Sequence, residues 1–265
     1  VLKIATWNVN SIRARLPHLL SWLQEFSPDV VVLQETKIVD ADFPTLDIQA
    51  AGYHAAFHGQ KSYNGVAILA KQPLQNVMFG LPGDDDDDQA RYIEADIAYK
   101  TAFHDHIRIC GLYLPNGNPV DTEKYPYKLQ WMQRLHARAA GYIKDRTPFL
   151  MAGDYNVIPH EDDCYNPAEW REDALFKQET RLAFQALLNL GLTDGYKACH
   201  PHSPNTYSFW DYQRGAWQKD HGIRIDHLLL CPILTDHLLN AGIDKTPRGW
   251  QKASDHTPVW IELQD

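Results

Sequence analysis

Four strings far apart in the chain each finish an apolar run with polar groups of one chemical kind: TWNVN at 6–10, LQET at 33–36, GDYN at 153–156 and SDH at 254–256. A run such as VVVLQET, apolar and then abruptly polar, is what a core strand leaves when it emerges at one edge of a sheet. Carboxylates, amides and one imidazole delivered from separate strand ends suggest a site for a hard metal ion and a phosphate.

At 265 residues and 44% hydrophobic, the chain can bury a large core, and one domain spanning 1–265 is expected. No stretch of 18 or more apolar residues occurs, and the start VLKIATWNVN reads as a strand, without the basic beginning and apolar block of a secretory signal. A cytoplasmic protein is therefore expected. Cys110, Cys164, Cys199 and Cys231 lie far apart and form no C-x-x-C pair, which argues against a zinc knuckle or a disulfide scaffold and fits a reduced compartment.

The formal charge of −9 argues, on its face, against a polyanionic partner. That argument is weakened by the run Asp84–Asp88, read as a solvated loop, and by acids that a divalent cation would neutralise.

Strands are predicted at Leu2–Asn8, Asp29–Gln34, Tyr53–His58, Gly65–Lys71, Arg91–Tyr99, Ile107–Leu114, Phe149–Tyr155, Arg224–Leu230 and Pro258–Leu263, several of them β-branched or aromatic and bounded by Gly, Pro or Asn. Leu16, Leu19, Leu20 and Leu23 recur at helical spacing, with Pro17 tolerable only in a first turn. Leu182, Leu187, Leu188 and Leu190 predict a helix ending at Gly191, and Tyr127–Lys144 a third. No repeat or linker divides the chain, so the pattern implies a layered α/β sandwich. Three long loops, 114–127, 159–178 and 200–222, are rich in Pro, Asn, Asp and aromatics and are candidates for binding.

Glu35 sits at the predicted rim, where a carboxylate suits Mg²⁺ or Mn²⁺. In FLMAGDYN, Gly153 allows close backbone approach, and Asp154 and Asn156 point the same way if the strand continues. The acid could then take a proton from water while the amide holds that water or a phosphate oxygen. Asp226 of RIDHLLL and His256 of SDHTPVW come from different segments and can pair, so that the aspartate keeps the imidazole oriented or protonated against a phosphate. Ser254, Asp255 and His256 cannot form a protease relay, because consecutive residues lack that geometry and no G-x-S-x-G occurs. GQKS at 59–62 lacks the ending of a P-loop, and His104 and His106 read as a solvated turn.

In this order, these residues resemble the exonuclease III family of apurinic/apyrimidinic endonucleases, within the endonuclease/exonuclease/phosphatase superfamily that shares the DNase I fold. The resemblance runs from Lys3 to about Leu263 and includes PDVVVLQETK, GYHAAFHGQKSYNGVAIL, LPGDDDDDQARYIEA, LYLPNG and GIRIDHLLL. It implies an α/β, four-layered αββα sandwich of two stacked mixed sheets flanked by helices, with the site at one end. It further implies a metal-dependent DNA repair nuclease that cuts 5′ of abasic sites or trims 3′ ends of double-stranded DNA, leaving a 3′-hydroxyl. A monomer is expected, since no extra segment suggests a dimer interface.

Carried over by position, Asn8 matches an asparagine at the metal site and phosphate, Glu35 the principal metal ligand, and Asp255 an acid near the metal. Tyr113 matches a tyrosine beside the scissile phosphate, acting as hydroxyl or phenolate. Asp154 matches the acid that activates water, Asn156 its amide partner, Asp226 the support of the histidine, and His256 the histidine on the phosphate. SFWDY at 208–212 matches the aromatic segment that packs on a flipped-out abasic sugar, with Phe209 and Trp210 in the order of the human member rather than the bacterial one. Phe209 is the chosen wall; Ile223 and Ile225 match other apolar wall positions, although Ile223 stands where the human member has tryptophan. Arg91, Arg171, Arg181, Arg214, Lys219 and Arg224 are candidate phosphate contacts. The competing classes are a lipid or inositol phosphate phosphoesterase of the same superfamily and a catalytically silent DNA-binding module.

Overall fold

The computed structural model describes residues 1–264. Among them, one six-stranded sheet is built from β1 (Leu2–Asn8), β2 (Val30–Gln34), β3 (His54–His58), β4 (Val66–Ala70), β11 (Leu238–Ile243) and β12 (Val259–Leu263), in the order β11-β12-β1-β2-β4-β3. A second takes β5 (Gln75–Phe79), β6 (Tyr92–Ala98), β7 (His106–Tyr113), β8 (Phe149–Asp154), β9 (Thr193–Asp194) and β10 (Asp226–Leu230), in the order β5-β6-β7-β8-β10-β9. The helices are α1 (Ile12–Phe26), α2 (Thr45–Ala50), α3 (Lys124–Asp145), α4 (Pro167–Trp170), α5 (Gln178–Asn189), α6 (Gly195–Cys199), α7 (Ala216–Lys219) and α8 (Pro232–Thr235). None is long and apolar enough to cross a membrane.

The central strands are apolar on both faces because both faces are covered. Ile4, Val30, Val32 and Ile68 meet Ile93, Ala95, Ile109 and Leu228 between the sheets. On the other face of the first sheet, Ala5, Trp7, Val31, Leu33 and Leu69 pack with Ile12, Leu19, Trp22 and Leu23 of α1. Gly111 lets the two sheets approach closely, since a Cβ there would stand 2.7 Å from Val32 Cγ1. The outer face of the second sheet lies under α3 and α5, whose Trp131, Leu135, Phe184 and Leu187 join the same core. The result is the helix–sheet–sheet–helix sandwich expected from the sequence.

A buried ionic knot ties α3 to the second sheet. Glu94, 0% exposed, accepts from Arg108 Nε at 2.9 Å, Arg138 Nε at 2.8 Å and the hydroxyls of Tyr92 at 2.7 Å and Tyr142 at 2.5 Å. Burial opposes its charge, but the bonds from Arg138, Tyr142 and Tyr92 prevail and hold its carboxyl at about 2. Glu94→Ala would take the carboxylate from Arg138 and leave Arg108 with the Asp96 carboxylate alone, so a loss of about 3–5 kcal/mol is expected, read as a lower urea midpoint.

The fold departs from the sequence reading at particular points. Pro17 is the sixth residue of α1, beyond the first turn, and stands on the exposed face of the helix. The unpredicted strands β5, β9 and β11 lie at or next to sheet edges, where no continuous apolar run is required. Within the acidic run, Asp87 is not solvated: it accepts from Tyr127 at 3.0 Å and Arg134 at 2.7 Å, which anchors the loop to α3.

Candidate active site

The parallel pairs β1/β2 and β7/β8 deliver their C-terminal ends to one rim, and the antiparallel neighbours bring their N-terminal ends there. Asn8 stands opposite Gln34, Tyr113 opposite Asp154, and Asp226 opposite Asp154. Gly153 is required just below, because a Cβ would fall 1.9 Å from the Leu112 carbonyl oxygen. Past the strand ends the chain turns sharply, and Glu35 (φ 51°) and Asn156 (φ 48°) both adopt the left-handed conformation that disfavours side chains. Around Glu35 this strain is held by backbone bonds from Ser11 N–H to Glu35 O at 2.8 Å and from Lys37 N–H to Asn64 O at 2.9 Å.

Ligand atoms of Glu35, Asp154 and His256 all lie within 4.8 Å of one another. Asn8 Nδ2 bridges the carboxylates, donating to Glu35 Oε2 at 2.8 Å and Asp154 Oδ2 at 3.0 Å. His256 stands between two acids, with Nδ1 2.8 Å from Asp226 Oδ2 and Nε2 3.5 Å from Asp154 Oδ2. Ser254 secures this turn to β1, donating its hydroxyl to Asn8 O at 2.6 Å and accepting the His256 N–H at 3.2 Å.

The electrostatics follow from burial. Asp154 is 1% exposed. Burial, reinforced by the charges of Asp226 and Glu35, pushes its carboxyl up to about 7 against the pull of His256 and Asn8. Burial works against the His256 cation, yet Asp226 and then Asp154 lift it to about 10, so the imidazole is protonated at neutral pH. Tyr113 is pushed well above the ordinary phenol range by burial and by Glu35 and Asp154, which makes it a neutral hydroxyl rather than a phenolate. Burial also raises Asp255, with Glu35 contributing. A hard divalent ion fits the oxygen donors of Glu35 and Asp154. An imidazole flanked by two carboxylates serves instead as a cation and hydrogen-bond donor.

Comparison with known proteins decides the lineage. The model of the Endonuclease/Exonuclease/phosphatase family matches residues 5–256. The chain belongs to that family. Exodeoxyribonuclease III of Haemophilus influenzae is 32% identical over 270 residues, covering 99% of this chain and 100% of the relative. Among solved structures, an AP endonuclease from Archaeoglobus fulgidus superposes with a TM-score of 0.93 at 37% identity. The 3′ phosphatase NExo from Neisseria, bound to product DNA hairpin, gives 0.94 at 37% identity; each covers 100% of both chains.

On this endonuclease/exonuclease/phosphatase fold, a cleft of about 400 Å³ opens beside the rim, lined in part by Phe209, Ile223, Trp170, Arg214 and Lys219. The Phe209 ring packs edge-on against His256, with centroids 5.0 Å apart. Ile225, 2% exposed, packs behind in a cluster with Ile158, Cys164 and Ile223.

Other assignments change. Trp210 is not a pocket wall: it is fully buried, turned away from Phe209 by strand alternation, and donates Nε1 to Asp220 at 2.9 Å. Arg224 is not a phosphate contact, being 0% exposed and paired with Asp163 at 2.8 Å and Asp194 at 2.9 Å. Asn8 presents its nitrogen to the carboxylates, while its Oδ1 accepts the Asn10 N–H at 3.0 Å, so it is a cross-link rather than an oxygen ligand. The strand does not continue through Asn156; its side chain donates to Leu114 O at 2.8 Å and its N–H to Asp154 Oδ1 at 3.0 Å.

Of the other cations, Arg91 stacks 4.8 Å over Tyr113 and Arg181 4.4 Å over Phe176, while Arg171 is exposed. Sequence reasoning passed over Lys37, Asn10 and Lys128. Lys37 Nζ lies 3.5 Å from Glu35 Oε1 and donates to Asn10 Oδ1 at 2.6 Å. Lys128, 0% exposed, donates to the backbone oxygens of Asn116 at 3.0 Å and Asn156 at 2.6 Å. Lys37 follows Glu35 in LQETK and could have been found there; Lys128 is one polar residue in an amphipathic helix and carries no such signal.

Proposed function

We propose that this chain is a DNA repair nuclease dependent on Mg²⁺ or Mn²⁺, hydrolysing phosphodiesters 5′ of abasic sites or removing nucleotides or blocking groups from 3′ ends and leaving a 3′-hydroxyl. The observation that carries this reading is the convergence of Glu35, Asp154 and His256 within 4.8 Å at the mouth of the Phe209–Ile223 cleft. The DNA-bound 3′ phosphatase and the AP endonuclease, each matched over the whole chain, support DNA as the substrate.

Glu35 and Asp154, with Asp255 close by, would hold a divalent ion, which would supply positive charge to a phosphate oxygen. The protein does the rest. Asp154, poised near neutrality, accepts a proton from the attacking water, and Asn8 keeps its carboxylate oriented. The His256 imidazolium and the Tyr113 hydroxyl donate toward the phosphate as charge develops. Phe209 and Ile223 offer an apolar wall to a sugar lacking its base, and Arg214 and Lys219 bring positive charge to the same cleft.

The test is incubation with metal and two duplexes, one carrying a single abasic analogue and the other a recessed 3′ end. Cleavage of either is the expected result. Inertness toward both, with hydrolysis of a lipid or inositol phosphate, would replace this reading with the phosphoesterase one. Glu35→Ala should raise the Mg²⁺ concentration for half-maximal activity by about ten-fold or more. An unchanged metal titration would remove Glu35 from its role.

A further inference from the structure

On the α1 side of the rim lies a second pocket, of about 470 Å³, lined by Arg15, Tyr212, Arg248, Trp250 and Lys252 with Ala14 and Ala253. Among the described residues, no carboxylate lines it. Arg248 is 7% exposed, yet among the described residues the one hydrogen bond from its guanidinium goes to Trp210 O at 2.9 Å, and that guanidinium lies over the rings of Tyr212 and Trp217. Its Nε is buried without a partner. Arg15 donates to Asn10 O at 2.9 Å, Tyr212 Oη at 3.0 Å and Ala253 O at 3.3 Å, all neutral acceptors, and its Nε is likewise buried and unpartnered. Lys252 is exposed above them.

Buried guanidinium donors without an acceptor are costly and uncommon, and a planar fork of N–H groups is matched by the oxygens of a phosphate. Burial depresses the proton affinity of Arg248 and outweighs the opposing pull of Tyr212, Asp255 and Asp211. The pocket also adjoins the catalytic rim. Asn10 Nδ2 reaches Tyr212 Oη at 3.2 Å on one side and Asp255 Oδ1 at 3.4 Å on the other. In a chain of formal charge −9, a polyanion needs such local concentrations of positive charge.

We propose that Arg15, Arg248 and Lys252 form a second phosphate site, which grips a backbone phosphate of the DNA strand near the one being cut. This rests on the nuclease reading and extends it to how the strand is held in register. The pocket works on binding, not on the bond that breaks.

The experiment measures affinity for the recessed duplex in EDTA, across a range of salt, for the wild type, Arg248→Met and Lys252→Asn. Lys252 has φ 55°, which asparagine tolerates, so that variant removes the charge without backbone strain and serves if Arg248→Met fails to fold. The expected result is a dissociation constant raised about ten-fold by Arg248→Met and less by Lys252→Asn. The slope of log affinity against log salt should also shrink by about one for the arginine variant. Turnover at saturating DNA should stay within about two-fold, since a uniform loss of binding raises KM alone.

Unchanged affinity and salt slope in folded variants would overturn the proposal. So would inorganic phosphate that raises the melting temperature of the wild type but not of the variants while DNA affinity stays equal, because the pocket would then serve a free phosphate compound. Failure of the wild type to cut either duplex with metal present counts against the nuclease reading instead, and the affinities in EDTA are read independently of it.

Discussion

Asp154→Asn is expected to lower turnover by at least about 10³ while binding of duplex DNA persists. The substitution is nearly isosteric, so the argument lies in charge and hydrogen bonding. In the wild type, Asp154 Oδ1 accepts the Asn156 N–H at 3.0 Å, and Oδ2 faces Asn8 Nδ2 at 3.0 Å and His256 Nε2 at 3.5 Å. An asparagine can keep the first bond but turns its own NH₂ toward two donors, so the second oxygen's partners are repelled rather than held. The amide also cannot take a proton from water, and a bound metal would lose the Asp154 carboxylate as a donor beside Glu35. Binding should persist because Asp154 is 1% exposed, whereas Phe209, Arg214 and Lys219 line the cleft itself. Single-turnover cleavage and equilibrium binding measured on one preparation check both halves. Near-normal turnover would take the proton-accepting role away from Asp154.

The strands that build the rim could be read from the sequence because each is a continuous buried run ending in a change of polarity. VVVLQ and FLMAGD are buried at every position, and their last residues lead straight into the site. What could not be read lies where pairing partners are remote or where edges relax the pattern. Edge strand β5 is exposed at four of its five positions, so its period carries no signal. Arg224 resembles any surface arginine until Asp163, 61 residues away, and Asp194 close around it. The pairing of Phe209 with His256 is a bridge between distant segments, and alternation then forces Trp210 to the other face, which adjacency in SFWDY conceals. Arg15, Arg248 and Lys252 likewise come together only through the fold. Residue types chosen for chemistry thus showed in the sequence, whereas those that orient them, such as Asn8 as a cross-link and Lys128 beneath the loops, needed coordinates.

The other large effect is expected at Asp226. Asp226→Asn should reduce turnover by about 10²–10³ at neutral pH and make the loss steeper as pH rises. Burial disfavours the His256 cation, and Asp226 is the first of the groups that overcome it, through charge and through the 2.8 Å contact with Nδ1. With that partner neutralised, burial gains and the imidazolium releases its proton well below the wild-type value of about 10. The sign is fixed by linkage. A histidine whose folded pKa is raised contributes stability that is complete below its ordinary value of 6.5 and vanishes as pH rises through about 10. The wild type should therefore keep its activity from pH 7 to 9 while its melting temperature falls across that interval, whereas the variant should lose activity there and show a flatter melting temperature. Asp226 is 0% exposed and is not among the residues lining the cleft, so KM should move far less than turnover. If the variant's pH–rate profile had the same alkaline limb as the wild type, His256 would not be acting as a cation held by Asp226, and its place on the phosphate would have to be given up.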